Sequence, residues 1–328
     1  MNITLPYVSV VTLTIKATTS LIGLFLNVFL LKIIQKSWPR LIGSFSVLLL
    51  NTALSDIMIA ASSLATLTRT TTCDDAVIFE SYGPCSYFGS QTCHFFLSME
   101  LHAFQYGVMS QILTFSYRFF FLLQPNRKLP KTETTLIICI LIYFPIFVFW
   151  ILNINRSEPA EVLKSVLTTC GKDSEIQWAA LHGYRSYLDF HSLLPVFFLV
   201  VPDIPLYILV YFFHRKSTKM LNEQTARMSK TTLRQHHQLV TVATVKAFFP
   251  MLLVLDLGVY LLGQFRIYQV DHATMFFGTF LVLLNPIIAF TCVKPYKENV
   301  KKIWDGISNC FRRKNPVFFY TENDSVSV

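Results

Sequence analysis

A run of thirty residues from Cys93 to Leu122, CHFFLSMELHAFQYGVMSQILTFSYRFFFL, is apolar enough to cross a membrane and yet carries charge. At a rise of about 1.5 Å per residue it reaches about 45 Å, more than a hydrocarbon core requires, so the helix must tilt or protrude. Its polar groups share one side. At about 100° per residue, Cys93, Glu100, Gln111, Thr114 and Arg118 fall in a narrow arc with the small Gly107, while Phe95 and Phe119 point elsewhere. A carboxylate, an amide and a guanidinium turned toward lipid would each cost several kcal/mol, so this face looks into a helix bundle. It is either a polar seam that joins helices or part of a functional site.

Six further apolar runs surround it. The first, about Val8 to Ile34, holds Lys16, which is able to snorkel toward one end, and Asn27 in its inner half. The second, about Ile42 to Leu67, contains Asn51 and Asp56, and the fourth, about Thr134 to Ile154, contains Pro145. The fifth, about Leu188 to Phe213, has Pro195, Pro202 and Pro205 and is expected to be kinked. The sixth, about Leu239 to Leu262, includes Lys246, Pro250 and Asp256, and the seventh, about His272 to Val293, ends in LLNPIIAFTCV. The segment KPYKENVKKIW then reads as an amphipathic helix on the membrane surface. This organisation divides the chain into a seven-span unit with its juxtamembrane helix, residues 1–304, and a tail, residues 305–328. With 53% hydrophobic and 14% charged residues and a mean hydropathy of +0.48, a soluble globule of 328 residues is excluded.

The net charge of +9 invites a nucleic-acid reading, but the distribution of Lys and Arg argues against it. Twenty of the 28 lie in the tail and at the loops after spans one, three and five, span ends included, and six lie at the loops between. The positive-inside rule therefore places the N-terminus outside and the tail in the cytoplasm, where its basic residues meet anionic headgroups and an acidic partner. Cys73, Cys85, Cys93 and Cys170 then fall on the oxidising side, as do the sequons at Asn2 and Asn155, so these asparagines are expected glycosylation sites. The loop from Asn155 to Tyr187 is the longest between spans and is expected to be functional or partly folded on its neighbours. No catalytic pattern emerges: the adjacent His236 and His237 stand alone, and neither a phosphate-binding glycine loop nor a zinc or nucleophile motif is present. No enzyme activity, cofactor or metal is expected.

Seven spans, a cysteine at the head of the third and an arginine at its foot together resemble a rhodopsin-like receptor coupled to G proteins. Cys93 precedes Arg118 by 25 residues, the separation used in that family. Asn27 in GLFLNVFLL, Asp56 in ALSD, Pro250, and Asn285 with Pro286 also occupy matching places. Two departures stand out: the triplet is Ser116-Tyr117-Arg118, without an adjacent acid, and the last motif is Asn285-Pro286-Ile287-Ile288-Ala289, without its tyrosine. The sequence is more closely similar to the nematode serpentine receptor class delta family of predicted chemoreceptors. That likeness is carried by RLIGSFSVLLLNTALSD, by YGPCSYFG with a nearby TC, by SFSYRFF, and by Pro295-Tyr296.

The resemblance implies a seven-helix bundle in the plasma membrane, of sensory cilia, that binds a small extracellular chemical and activates a heterotrimeric G protein. It implies a bridge from Cys93 to Cys170, although four outer cysteines allow three connectivities and Cys85 with Cys170 stays open. It implies an intramembrane polar network of Asn27, Asp56 and Asn285, and activation through Tyr117, Arg118, Pro250, Asn285 and Pro286. Glu100, two turns below Cys93, is the expected ligand contact, with His102, Phe104, Tyr106, His191, Asp256 and Tyr260 as neighbours. A transporter or ligand-gated channel would instead use Asp56, Asp203 and Lys246. Seven spans without an internal repeat speak against the first, and the outside N-terminus against the second.

Overall fold

The computed structural model describes residues 7–37, 43–73, 75–123, 132–153, 157–171, 179–186, 203–224, 276–293 and 296–305, with isolated residues at 188, 190, 192–194, 197, 245, 255 and 258. Among the described residues six long helices dominate. They are α1 (Tyr7–Ser37), α2 (Gly43–Thr66), α3 (Ser90–Leu123), α4 (Thr132–Asn153), α6 (Asp203–Gln224) and α7 (Phe276–Cys292), with a shorter α5 (Ala160–Thr169) between the fourth and fifth spans. Val245, Leu255 and Gly258 are helical positions in the sixth span. A final helix, α8 (Tyr296–Asp305), leaves α7 at 90°. Among the described residues α1, α2 and α4 are long and apolar enough by themselves to cross a membrane.

The third helix is less apolar because it is central. It packs against α2, α4 and α6, so its polar stripe faces protein rather than lipid. The periphery shows the reverse. Leu136, Ile137, Ile140, Leu141, Phe144 and Val148 of α4 and Leu21, Ile22, Phe25 and Val28 of α1 are exposed. In water such a belt would be an aggregation surface, and in a bilayer it is the lipid face. The inward face of α1 repeats every three to four residues as Lys16, Ser20, Gly23, Asn27, Leu30 and Ile34. Gly23 is needed there, since a β-carbon would meet Val282 of α7 at 2.9 Å. Pro205, expected to kink the fifth span, lies in the first turn of α6, where its missing N–H breaks no helical bond.

The bundle carries a folded cap at the end where α1 and α3 begin. The segment between α2 and α3 reads as a polar loop, but it forms an antiparallel hairpin of β1 (Thr68–Cys73) and β2 (Ala76–Ser81), and β3 (Ala180–Tyr184) adds to β2. The β-branched runs TRTTTC and AVIF separated by two aspartates carry the hairpin signal. One face of the sheet receives α5, whose Leu163 and Leu167 pack on Ala76, Ile78 and Leu181. On that face Arg69 and Glu80, directly paired in register, lie 3.8 Å apart and buried. Glu80 also accepts from Thr71 at 2.6 Å and from Tyr82 at 2.7 Å, and burial, then the Glu80 carboxylate, push the Tyr82 hydroxyl well above its ordinary value. The opposite face meets the first turn of α3. There His182 of β3 stacks on Phe79, lies edge-on to His94 of α3 and shares a 2.8 Å hydrogen bond with Ser81. Gly183 is obligatory: its φ is +149° and a β-carbon would sit 2.2 Å from the Val77 carbonyl.

The disulfides differ from the expected pairing. Cys93 bonds Cys85 in a single 3-10 turn (Pro84–Phe88), and Cys170, at the end of α5, bonds Cys73, the last residue of β1. Cys93 and Cys170 are therefore not partners. The hairpin supplies the reason, because it brings Cys73 beside α5 while the turn after Gly83 holds Cys85 against the head of α3.

Cys73→Ala and Cys170→Ala should reduce surface expression equally, with the double variant no worse than either. Cys85→Ala and Cys93→Ala should form a second such pair, milder because their closed loop spans 8 residues rather than 97, about 2.5 against about 4.7 kcal/mol on chain-entropy reasoning. Equal behaviour of Cys93→Ala and Cys170→Ala, distinct from the others, would reverse the assignment. Burial and the neighbouring His94 lower the His182 imidazole to about 3, so it folds neutral while the unfolded chain takes up a proton near pH 6.5. The unfolded state binds more protons below that point, so acidification should cost about 1.7 kcal/mol between pH 6.5 and 5. Thermal denaturation across this range should show the loss, and His182→Gln should flatten it.

Candidate functional site

Beneath the cap, the interior of α1, α2, α3 and α7 is layered. The layer nearer the cap is built on Glu100, seven residues and about 10 Å along α3 from Cys93. Its carboxylate lies 3.8 Å from the Lys16 ammonium of α1, and the two side chains are 0% and 4% exposed. Lys16 therefore does not snorkel to an interface. Its position seven residues before Gly23 and eleven before Asn27 puts it on the face that α1 turns to the bundle, a periodicity legible in the chain. Ser63 of α2 stands beside Glu100, and Ser20 lies one turn from Lys16 on the same face of α1. The Lys16 ammonium and the Ser20 hydroxyl are buried without a hydrogen-bond partner, and the Glu100 carboxylate has the Lys16 ammonium and the Ser63 hydroxyl as its polar neighbours. At the same side of α1, Thr19 reaches Thr279 of α7 at 3.5 Å.

An apolar layer separates this group from the next. Phe104, one turn beyond Glu100, packs with Ile59, Ala60, Ala103, Leu281 and Val282. Below it, Asn285 of α7 donates to Asp56 of α2 at 3.0 Å, and Asn27 donates to the carbonyls of Gly23 and Val282, both at 2.9 Å. Asn27 thus ties α1 to the backbone of α7, while Asp56 and Asn285 form the side-chain link. Pro286 is buried inside α7 next to that link. The seam between α2 and α3 is polar glue: Ser55 donates to the Ala103 carbonyl at 2.8 Å, and Asn51 donates to Ser110 at 2.9 Å.

The remaining expected contacts go elsewhere. His102 turns to α4, with its ring nitrogens 3.2 Å from the Ile146 carbonyl and the Tyr143 hydroxyl and its ring against Trp150. Tyr106 donates to Asn51 and packs edge-on against Tyr143. Neither joins Glu100, and Phe104 forms the floor beneath it. His191, Asp256 and Tyr260 lie outside the described residues, as do Pro250, Lys246, Asn2 and Asn155. Tyr117 packs at the other end of the bundle against the cluster around Leu30, Leu48 and Tyr296, and Arg118 follows it on α3. Asp203 opens α6. Sequence reasoning placed Glu100 inward but supplied no partner for it, and it missed Ser63, because only helix packing brings α1 and α2 beside α3.

Energetics bear on what the pair does. At an effective dielectric near 20, unit charges 3.8 Å apart attract by about 4 kcal/mol. Removing each ion from water costs several kcal/mol, so the pair adds little net stability, whereas stranding one partner typically costs about 3–5 kcal/mol. Lys16→Met and Glu100→Gln should each lower thermal stability by about that amount, and the double variant should recover most of it. Additive losses would show that the two do not act as a pair.

A family model described as Serpentine type 7TM GPCR chemoreceptor Srd matches residues 13–302. Among curated relatives, serpentine receptor class delta-19 of Caenorhabditis elegans is 28% identical over 87% of this chain and 85% of its own length. Class delta-18 of the same organism is 26% identical over 89% and 87%, and class delta-1 is 24% identical over 86% and 77%. Among solved structures, squid rhodopsin superposes with a TM-score of 0.63 at 13% identity, covering 93% of this chain and 88% of that one, a likeness of fold. The fold is thus a seven-transmembrane helix bundle of the receptor type with a small sheet added at one end, and the chain belongs to the Srd family of serpentine seven-transmembrane chemoreceptors.

Proposed function

We propose that the protein is a chemosensory receptor of the plasma membrane, in sensory cilia, that binds a small extracellular chemical and activates a heterotrimeric G protein. The observation that carries this reading is the pair of buried polar layers in a rhodopsin-like bundle, Lys16 with Glu100 near the cap and Asp56 with Asn285 deeper. Ionisable groups inside a membrane bundle are rare and mark ligand, ion or proton sites by default. In this reading the cap is extracellular. Two disulfides belong on the oxidising side, and the Lys and Arg excess of the loops after spans one, three and five belongs to the cytoplasm.

Ligand contacts at Glu100, with His191, Asp256 and Tyr260 contributing from spans five and six, bias the bundle toward a state in which the cytoplasmic ends of those spans separate. Pro250 and Pro286 supply the bends. Tyr117 and Arg118, toward the end of α3, serve coupling to the G protein, and α8 with the basic tail lies on the headgroups. Asn2 and Asn155 carry glycans on the cap side. A transporter or channel working through Asp56, Asp203 and Lys246 is disfavoured by the engagement of Asp56 with Asn285.

The test is a chemical panel applied to cells that express the chain with a promiscuous G protein. A second-messenger response is expected, and uptake or current without one would overturn the receptor reading. Arg118→Ala should reach the surface at normal levels and lose at least about tenfold in signalling. Undiminished signalling would remove Arg118 from coupling.

A further inference from the structure

We propose that the Lys16–Glu100 layer recognises a small zwitterion, a molecule carrying both a carboxylate and an ammonium group such as a free amino acid. The inference rests on the receptor reading and names its ligand class. The layer is neutral: one ammonium and one carboxylate, 3.8 Å apart and sealed from solvent. An amine ligand that took Glu100 would leave Lys16 as an unpaired buried cation, and an acid that took Lys16 would leave Glu100 as an unpaired anion. Either outcome forfeits what binding gains. An apolar ligand satisfies neither group.

A zwitterion exchanges one neutral arrangement for another. Its carboxylate accepts from Lys16, its ammonium donates to Glu100, and both ends of the original pair stay compensated. The hydrogen-bonding capacity for this exchange is already present. The ammonium offers three donors and Glu100 two oxygens with Ser63 beside them, and the Lys16 ammonium and the buried Ser20 hydroxyl one turn from it have no hydrogen-bond partner. The packed apolar layer of Phe104, Ile59, Ala60 and Leu281 beneath the pair offers no polar group, so both charged ends of the ligand are met by Lys16 and Glu100. Because Lys16 is on α1 and Glu100 on α3, insertion also separates two helices, which links occupancy to bundle geometry.

The test uses the detergent-solubilised full chain and thermal denaturation, with glycine and β-alanine as probes and acetate and methylamine as single-charge controls. At least one zwitterion should raise Tm by a few degrees, and neither control should. The double variant Lys16→Met with Glu100→Gln, neutral and similar in shape, should remain folded and lose the shift. The exchange Lys16→Glu with Glu100→Lys should retain it. No shift from either zwitterion, an equal shift from acetate or methylamine, or a shift that survives in the neutral double variant would each overturn the inference. The binding readout is independent of signalling. A zwitterion shift in a chain that couples to no G protein would uphold this site and reject the receptor reading, whereas activation by other chemicals with no zwitterion shift would do the reverse.

Discussion

A charge carried into hydrocarbon must be met by another group of the same protein, and in this molecule the demand is concentrated on α3. Glu100 draws Lys16 inward from α1, and Ser63 of α2 stands beside it, so three helices converge on one buried carboxylate. One apolar layer below, Asp56 of α2 receives Asn285 of α7, and Asn27 holds α1 to the α7 backbone. The helices α1, α2, α3 and α7 are thereby fixed to one another at two depths by polar contacts. Between them lies a packed floor of Phe104, Ile59 and Leu281. Dispersion and lipid exclusion would let such helices slide and rotate, and directional contacts of this kind specify one register.

The cap answers a different constraint. Backbone buried away from water must find its hydrogen-bond partners in the protein, and the segments between α2 and α3 and between α4 and α6 do so by pairing with each other in one sheet. Each face of that sheet is then covered, one by α5 and the other by the first turn of α3 through the His94 and His182 contact. The disulfides join the elements that this arrangement brings together. Cys73 and Cys170 link the hairpin to α5, and the Cys85–Cys93 bridge secures the turn that enters α3.

At the other end of the bundle, the departures from the rhodopsin pattern acquire physical meaning. The triplet Ser116-Tyr117-Arg118 provides no carboxylate next to the arginine, and the sequence Asn285-Pro286-Ile287-Ile288-Ala289 provides no tyrosine. What occupies that region instead is apolar packing: Ala289 is fully buried in a cluster with Leu30, Ile34, Leu48 and Tyr296, and Tyr117 lies against it. Tyr296, at the start of α8, supplies an aromatic ring from just beyond α7.

Length and periodicity were enough to read the spans, because a bilayer dictates how long an apolar run must be and α-helix is the only local solution for it. The bounds of α1 to α4 fall close to the runs read from the chain, and the inward orientation of Glu100 followed from its place in the polar arc of Cys93, Gly107 and Arg118. The sequence by itself thus determined the bundle, the family and the buried carboxylate. Only the tertiary structure decided partners. Lys16 is 84 residues from Glu100, Cys73 is 97 from Cys170 and Ser81 is 101 from His182, and no local rule relates such positions. Which helix turns which face to α3, and which strand lies beside which cysteine, is settled when packing and the pairing of buried polar groups are satisfied together over the whole chain.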